Sequence, residues 1–218
     1  MHENIASKFY GENGSFMLLR EMLIHVHHRI RNYAISRKLG CSRIRVGRMP
    51  RILGLKYMKI GSGFSAGNSL WLEAVSRHAA DTYSPFLTIG QNVTMSDSVH
   101  IACAFSLSIG NNVLVGSRVI ITDHNHGSYT GIAQDNPSTP PNMRKLSCKT
   151  TVIEDCVWIG DGVVILPGAR IGEGSIIGAN SVVSGLIPSS CIALGVPARP
   201  VKKFDVETNT WKSLEAKA

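Results

Sequence analysis

One short segment of the sequence concentrates side chains that could transfer a proton or bind a metal. Residues 121–131 read ITDHNHGSYTG, which places Asp123, His124 and His126 close together. An imidazole whose pKa lies near neutrality can act as a general base, and a neighbouring carboxylate can orient it. The two histidines could also belong to a zinc site, but no third ligand follows at a plausible spacing. A third interpretation is that both are loop residues without chemistry.

The composition indicates a folded and basic protein. The chain has 218 residues, is 44% hydrophobic and 17% charged, and carries a net charge of +8. These values argue against disorder and suit one domain of ordinary size, with or without a small appendage. The charge suits nucleic acid, an anionic membrane surface or a phosphate-bearing small molecule, but no signature of a nucleic-acid-binding module is found. Much of the charge lies at Arg29, Arg31, Arg37, Lys38, Arg43, Arg45, Arg48, Arg51, Lys56 and Lys59.

Cysteine usage and the N-terminus predict a cytoplasmic protein. The cysteines are odd in number, widely spread and without a CxxC pair, which argues against a disulfide framework and against a zinc ribbon. The N-terminus lacks the pattern of a signal peptide, and no apolar run approaches the roughly 18–20 residues that span a bilayer. The cysteines are Cys41, Cys103, Cys148, Cys156 and Cys191.

An aliphatic residue recurs every sixth position through the second half of the chain. It is often followed by glycine, and a small or β-branched residue stands four positions after it. The same repeat appears earlier from Ile89, slips by two residues between Ile101 and Ile109, and has an isolated match at Ile60. The main series is Ile153, Ile159, Ile165, Ile171, Ile177 and Val183.

A period of six fits neither a long α-helix nor an alternating strand. It fits short strands separated by sharp bends, each with one aliphatic side chain pointing inward, and the glycine beside it would permit the backbone angles of a corner. Three such segments close one turn, and successive turns stack through parallel hydrogen bonds. The repeat therefore predicts a β-solenoid. Parallel crossovers are usually right-handed, and the spacing itself does not indicate otherwise.

The repeat and its flanking motifs resemble those of the hexapeptide-repeat acyltransferases. The run VWIGDGVVILPGARIGEGSIIGANSVVSGLIP, followed by GVPARPVKK, carries this resemblance, which covers about residues 86–203. DHNHG and the proline-bearing insertion after it look most like the bacterial sugar O-acetyltransferases of surface-polysaccharide biosynthesis. The resemblance implies an all-β fold, a left-handed parallel β-helix with an N-terminal helical segment and a long loop insertion. It also implies acetyl-CoA as acyl donor, no required metal, and a homotrimer that binds acetyl-CoA and acceptor between neighbouring copies.

The same resemblance implies roles for the histidine segment. His126 aligns with the family's general base, which takes the proton of the acceptor hydroxyl while the oxygen attacks the thioester directly, without an acyl-enzyme. Because Ile121 is in phase with the repeat and should point inward, His126 should face outward at the root of the insertion. The family often has an aspartate or asparagine where this chain has Ala104. Asp123 or a backbone carbonyl is therefore expected to orient the imidazole, and the role of the neighbouring His124 stays open.

Motifs for coenzyme A follow in the C-terminal half. In the family, the tryptophan of VWIG lines the pantetheine slot, and the small residue of IGANS lets backbone groups approach the pantetheine arm. Basic residues in and after GVPARP reach the phosphates of coenzyme A. Ser184 stands where the family commonly has threonine, and Gly185 replaces a frequent lysine, which weakens the case for one phosphate contact. The positions implied are Trp158, Gly160, Ala179, Ser184, Arg199 and Lys202.

The remaining regions have their own patterns. Residues 15–39 have apolar positions at helical spacing, with Ser15 as N-cap and Gly40 as stop. This basic helix either caps the end of the solenoid, which we favour, or lies on an anionic membrane surface. Residues 127–149 are expected to form a long functional loop. The expected domains are a helical segment at 1–42, the β-helix at 43–203 with that loop, and a polar, peripheral tail at 204–218.

Together, the residues and the resemblance predict an acetyl-CoA-dependent O-acetyltransferase that modifies a sugar hydroxyl of a surface polysaccharide or its precursor. We expect it in the cytoplasm, at the inner face of the membrane if the basic helix contacts lipid, and without a nucleic-acid partner. The alternatives are a xenobiotic acetyltransferase that modifies an antibiotic hydroxyl and a non-catalytic solenoid scaffold. The intact coenzyme A motifs argue against the scaffold.

Overall fold

The aliphatic residues of the six-residue repeat form the interior of the molecule. A computed structural model describes residues 5–214, without the side chains of residues 5–19, 21 and 39. All members of the main series are buried, with exposures of 0–1%. Burial of one such side chain stabilises a fold by about 1.5–3 kcal/mol. The repeat therefore supplies a regular series of stabilising contacts along the chain.

Residues 5–214 contain one long helix, many short strands and two short 3₁₀ helices at Leu55–Tyr57 and Pro141–Met143. In chain order the helix and strands are α1 (Ile5–Leu39), β1 (Arg45–Val46), β2 (Arg51–Leu53), β3 (Met58–Ile60), β4 (Ser65–Ala66), β5 (Trp71–Ala74), β6 (Arg77–His78), β7 (Asp81–Thr82), β8 (Phe86–Ile89), β9 (Thr94–Met95), β10 (His100–Cys103), β11 (Ser106–Ile109), β12 (Leu114–Val115), β13 (Ile120–Thr122), β14 (His124–His126), β15 (Leu146–Cys148), β16 (Thr151–Ile153), β17 (Trp158–Ile159), β18 (Val164–Ile165), β19 (Arg170–Ile171), β20 (Ile176–Ile177), β21 (Val182–Val183), β22 (Leu186–Ile187), β23 (Cys191–Gly195), β24 (Ala198–Asp205) and β25 (Thr210–Ser213).

Most of the strands form three parallel sheets, which are the faces of a triangular prism. The first face contains β1, β4, β9, β12, β17, β20 and β23; the second contains β2, β5, β10, β13, β18 and β21; the third contains β3, β8, β11, β16, β19 and β22. One strand from each face makes a coil, and the coils stack in chain order, with Ile101 beside Ile121 and Ile121 beside Ile165. The fold is a left-handed parallel β-helix, which confirms the predicted class.

The glycines beside the buried aliphatic residues allow close stacking of the coils. At Gly90 an added Cβ would lie 2.5 Å from the backbone oxygen of Gly110, and at Gly110 it would lie 2.7 Å from the backbone nitrogen of Asp155. Neither glycine has a positive φ; corner residues such as Asn92 and Asn112, each with φ 55°, adopt the left-handed conformation instead. Asparagine tolerates that region. The expectation that these glycines supply corner angles is therefore wrong, and contact between coils explains them.

The helix α1 is longer than the sequence predicts. It already contains Ser15, so the expected N-cap is wrong, whereas the stop at Gly40 is confirmed by its φ of 65°. The C-terminal part of α1 contacts the prism, since Arg31 donates to the carbonyl of Gly47 at 2.7 Å and Ile35 packs against the core. This part caps the first coil, as we favoured. Within the described residues, no helix is long and apolar enough to cross a bilayer.

Two insertions leave the prism at the corner between the second and third faces. The hairpin β6–β7 in the second coil was not predicted. In the fourth coil, the long loop is closed by the antiparallel strands β14 and β15, with His124 opposite Cys148. The loop expected at 127–149 therefore has an ordered base that begins at His124.

At the C-terminus, β24 and β25 add antiparallel strands to the first face, so the expected tail is folded through residue 213.

Candidate active site

Three successive coils are widened at the same corner of the prism, between the second and third faces. The second coil carries the β6–β7 hairpin there, and the fourth carries the loop closed by β14 and β15. In the third coil, the corner lies between the end of β10 at Cys103 and the start of β11 at Ser106. This wider corner accounts for the two-residue slip of the repeat between Ile101 and Ile109. Side chains from three coils converge here.

Asp123 binds the widened corner of the third coil from the fourth. Its side chain is fully buried. Its carboxylate accepts the backbone N–H groups of Ala104 at 2.8 Å, Phe105 at 2.8 Å and Ser106 at 2.7 Å. Burial would raise the pKa of Asp123, but hydrogen bonds from His124 and from these backbone amides outweigh it, and the pKa is lowered. Asp123 is therefore a buried carboxylate that stays ionised because its oxygens are well bonded.

The same carboxylate orients His124. Nδ1 of His124 lies 2.9 Å from Oδ1 of Asp123, and the His124 side chain is only 9% exposed. Because an ionised carboxylate only accepts hydrogen bonds, Nδ1 of His124 is the donor in this contact, and Nε2 is the ring nitrogen left outside it. Of the two histidine rings in this segment, Asp123 is therefore bonded to the ring of His124. The expectation that Asp123 would hold His126 is wrong.

Two cysteine thiols close to Asp123 stay protonated at neutral pH. Sγ of Cys103 donates to Asp123 at 3.3 Å, and burial followed by repulsion from Asp123 raises the pKa of this thiol. The same two causes raise the pKa of Cys148 to about 11. Because the thiolate is the nucleophilic form, neither cysteine is suited to covalent catalysis.

His126 lies at the end of β14 and is exposed to solvent. Its ring meets that of His78 edge to face, with 4.7 Å between centroids, and lies 6.4 Å from that of His124. Partial burial, followed by repulsion from His78 and His124, lowers the pKa of His126, although a hydrogen bond to the carbonyl of Pro141 opposes this. His126 is therefore a neutral, accessible imidazole at neutral pH, and what orients its ring stays a prediction.

The long loop folds back over its own base through Arg144. This buried arginine donates to the carbonyls of Thr139 at 2.8 Å and Pro137 at 2.9 Å, and to the hydroxyl of Tyr129 at 2.9 Å. The Tyr129 hydroxyl in turn donates to the carbonyl of His126. The loop is therefore anchored to the backbone of His126 by its own side chains.

Sequence reasoning missed His78, which the β6–β7 hairpin brings from the second coil to His126. The available signal was the break in the repeat, since the interval between Ile60 and Ile89 is not a multiple of six. The site therefore contains three neighbouring histidines. Across residues 5–214, however, no group of three or more histidine, cysteine or acidic side chains is arranged to hold a metal ion.

The residues expected to bind coenzyme A lie mainly on the first face. Trp158 is 52% exposed, and its outward row continues through Ile176 and Ile192 to Lys202 on β24. At a strand spacing of about 4.8 Å, this apolar row places Lys202 about 14 Å from Trp158. Arg199 is exposed on the same strand as Lys202. The row thus joins an exposed aromatic ring to a basic end.

Gly160 and Ala179 meet across two coils at the next corner. An added Cβ on Gly160 would lie 2.7 Å from the backbone nitrogen of Ala179, so only small residues fit together there. Ser184 is exposed at the corner that carries His126 in an earlier coil. The structure therefore groups Trp158 with Lys202 and Gly160 with Ala179.

Within one chain, the histidine site and the Trp158 row occupy different places on the prism. The histidines lie at the corner of the second and third faces, whereas Trp158 and Lys202 lie on the first face. The corner that carries the histidines is therefore opposite the face that carries Trp158.

Comparison with known proteins places the chain among relatives. A family model described as bacterial transferase hexapeptide (six repeats) matches residues 150–185. The chain is 41% identical over 156 residues to an Escherichia coli (strain K12) protein provisionally named lipopolysaccharide biosynthesis O-acetyl transferase WbbJ, covering 71% of this chain and 76% of that protein. It is 30% identical over 141 residues to the galactoside O-acetyltransferase of the same strain, covering 65% and 64%.

A solved structure has the same fold. A hexapeptide-repeat acetyltransferase from Vibrio cholerae O1 biovar eltor, in complex with acetyl coenzyme A, aligns with a TM-score of 0.51 and 23% identity. The alignment covers 81% of this chain and 78% of that one.

Proposed function

Because the chain belongs to the hexapeptide-repeat acyltransferases, we propose that it transfers the acetyl group of acetyl-CoA to a hydroxyl of a sugar in a surface polysaccharide or its precursor. The observation that carries this proposal is the neutral, outward-facing imidazole of His126, which stands at a widened corner next to the hydrogen-bonded pair of Asp123 and His124. The O-acetyltransferase names of two relatives support the reaction, and the name of the first supports a polysaccharide acceptor.

In the proposed mechanism, His126 is the general base. The unprotonated ring nitrogen takes the proton of the acceptor hydroxyl while the oxygen forms a bond to the thioester carbonyl carbon. When the tetrahedral intermediate collapses, the carbon–sulfur bond breaks, and the thiolate of coenzyme A takes up the proton from the imidazolium. A neutral imidazole with a lowered pKa suits the first step, since it is mostly unprotonated at neutral pH.

Asp123 and His124 are proposed as the rigid support of this base. The buried carboxylate fixes the corner backbone and the His124 ring together, and His124 begins the strand whose last residue is His126. Nε2 of His124 stays available for a hydrogen bond with a second hydroxyl of the sugar. Movement of this pair would therefore shift the base as well.

We propose that acetyl-CoA lies along the Trp158 row. The exposed indole and the isoleucines after it suit the apolar part of the pantetheine arm, and Ala179 is a small, exposed residue at the next corner. Arg199 and Lys202 would bind the phosphates, as guanidinium and ammonium groups do in charge-assisted hydrogen bonds. Ser184 is proposed as a further polar contact.

The separation of the two residue sets supports a homotrimer in which copies complete each other's sites. One copy would supply the histidine corner, and its neighbour would supply the Trp158 row. Solenoids of one kind can bury their faces against each other with closed rotational symmetry. Because acetyl-CoA is a cytoplasmic metabolite, we place the reaction in the cytoplasm.

The transfer reaction itself is the first test. We expect the protein to move labelled acetyl from acetyl-CoA to a galactoside, glucoside or glucosaminide in a panel of acceptors, detected by mass spectrometry.

Arg199→Ala should raise the apparent KM for acetyl-CoA about tenfold with little change in kcat, since a hydrogen bond to a charged group is lost. Arg170→Ala, which removes an exposed arginine paired with Glu154 on the third face, should leave KM unchanged. An unaltered KM in Arg199→Ala would remove that residue from the proposed site.

The exposed apolar side chains of α1 and the basic residues around them support a proposed contact with the inner face of the membrane. Between residues 20 and 59 the only acidic residue is Glu21, whereas basic residues recur throughout. A second copy of this chain would bring like charges together, and nucleic acid would not cover apolar side chains, so an anionic lipid surface is the fitting partner. The apolar side chains that α1 exposes, each by 48–67%, are Met22, Leu23, Val26, Ile30 and Tyr33.

Vesicle flotation tests this contact. We expect the protein to bind phosphatidylcholine vesicles containing about 30% phosphatidylglycerol, and to bind pure phosphatidylcholine and high-salt samples weakly. Combined Met22→Ser, Val26→Ser and Ile30→Ser should weaken binding about tenfold or more, because buried apolar area is lost. Ile132→Ser and Val206→Ser, at exposed apolar positions outside α1, are the matched control. Equal binding by the triple variant would contradict the contact.

A further inference from the structure

The insertion between β5 and β8 reaches across the third coil and contacts the base of the long loop. We call residues 75–85, which contain the hairpin β6–β7 and Tyr83, the hairpin clamp. It belongs to the second coil, whereas β14 and β15 belong to the fourth. Its side chains meet the β14–β15 pair at three places, and all three lie at the end where His126 is found.

Tyr83 and Asp81 hold the strand opposite His126. In the β14–β15 ladder, His126 pairs with Leu146. The backbone N–H of Leu146 donates to the Tyr83 hydroxyl at 2.9 Å, and Nζ of Lys145 lies 3.2 Å from Oδ1 of Asp81. The clamp therefore fixes the partner strand at the register of His126.

His78 contacts His126 itself. The two rings meet edge to face, with 4.7 Å between centroids and 75° between planes. Nε2 of His78 is buried and has no hydrogen-bond partner in the described part of the chain. A buried polar atom without a partner is costly. Within the described residues, His78 therefore contacts His126 through its ring and not through a hydrogen bond from Nε2.

We propose that the hairpin clamp is part of the active site, and that His78 and Tyr83 are positioning residues that hold His126 in place. The inference rests on the proposed role of His126 as general base. The clamp contacts both strands at the pair of His126 and Leu146. Tyr83 bonds to the backbone of Leu146 on β15, and His78 packs on the imidazole of His126 on β14.

Charged and titratable groups surround His126 on three sides: on β14 itself, on the long loop and on the hairpin clamp. His124 precedes it on β14 and is paired with Asp123. On the loop side, Arg144 is bonded to the Tyr129 hydroxyl, and Asp135 accepts the N–H of Ser128. On the clamp side, Asp81 is paired with Lys145. His78 is the titratable side chain in this group that a single substitution can remove without breaking one of these pairs.

His78→Phe keeps a ring at the contact and removes the titratable imidazole. Because repulsion from His78 lowers the pKa of His126, this variant should raise the pKa of His126 and move the acid limb of kcat/KM to higher pH. At pH 6 we expect kcat/KM to fall about threefold, with smaller loss above pH 8. Histidine side-chain NMR titration measures the pKa of His126 without any transfer reaction.

Tyr83→Phe removes one hydroxyl and leaves the charges unchanged. It should lower kcat about three- to tenfold through a less fixed His126, with KM for acetyl-CoA and the pKa of His126 unchanged. Both variants should melt within about 4 °C of the wild-type protein. Matched controls are His25→Phe, at an exposed histidine of α1, and Tyr57→Phe, at a tyrosine packed near the first coil.

The outcomes separate this inference from the proposed function. A wild-type pKa for His126 in His78→Phe, together with wild-type kcat in Tyr83→Phe, would overturn the clamp. If instead His126→Ala retains transfer while the NMR shift in His78→Phe is seen, the clamp positions His126 but the base assignment fails.

Discussion

Replacement of His126 by alanine is expected to lower kcat for acetyl transfer about 10³-fold, because a positioned general base contributes roughly 10²–10⁴-fold. Without the imidazole, the acceptor hydroxyl must lose its proton to water while its oxygen attacks the thioester. Binding of coenzyme A should change little, since its proposed contacts are made by Trp158, Arg199 and Lys202 rather than by the imidazole of His126. Steady-state assays measure the transfer, and calorimetric titration measures the binding.

The neighbouring histidine provides the contrast. His124→Ala should lower kcat only about tenfold, through lost support of the strand, and His25→Ala on the exposed side of α1 should have no effect. If His124→Ala is inactive and His126→Ala nearly fully active, the base is His124, oriented by Asp123. That result would make our assignment wrong while leaving the reaction in place.

The pH profile of the wild-type protein follows from the same site. Since only the unprotonated imidazole accepts a proton, kcat/KM should rise with pH through the pKa of His126 and then level off. Burial, followed by repulsion from His78 and His124, lowers that pKa below the ordinary value of 6.5. The midpoint of the acid limb of kcat/KM should therefore lie at a lower pH than the pKa of an ordinary histidine.

The fold was predictable because the buried aliphatic side chains that stabilise it recur at a fixed spacing in the sequence. One aliphatic residue per strand points inward, and the main series from Ile153 to Val183 is buried throughout. The same periodicity predicted that Ile121 is interior and that His126 faces outward, and both are observed. The function of the glycines was misread, because their constraint comes from the next coil, as with Gly90 and Gly110.

The site was harder to predict because its contacts join residues from different coils. Asp123 is adjacent to His124 in sequence, yet three of its hydrogen bonds go to amides that precede it by one coil. His78 comes from an insertion whose pairing has no periodic signal. A widened corner in one coil exposes amides that only a neighbouring coil can satisfy, so the two-residue slip and Asp123 are parts of one feature.

Asp123→Asn is expected to destabilise the protein by about 3–5 kcal/mol at pH 7, because several buried N–H groups lose their acceptor at a cost of about 1–3 kcal/mol each. The carboxylate accepts bonds from three backbone amides, a thiol and an imidazole. The amide of asparagine has only one oxygen, and its NH₂ group would face donors, so several N–H groups would lose their acceptor. Denaturant unfolding, followed by circular dichroism, measures the change.

The pH dependence identifies the carboxylate as the source. Because the folded pKa of Asp123 is lowered, its contribution is complete above the unfolded carboxyl pKa of about 3.9 and is lost as the pH falls through the folded value. The stability difference between the wild type and Asp123→Asn should therefore be constant near neutrality and should shrink below about pH 4. Asp155→Asn is the matched control, since Asp155 accepts a backbone N–H of Asn111 at 2.8 Å at a solvent-accessible corner, and it should change stability little. A similar loss in both variants would mean that Asp123 acts as an ordinary corner residue, and the rigid support proposed for His124 and His126 would lose its basis.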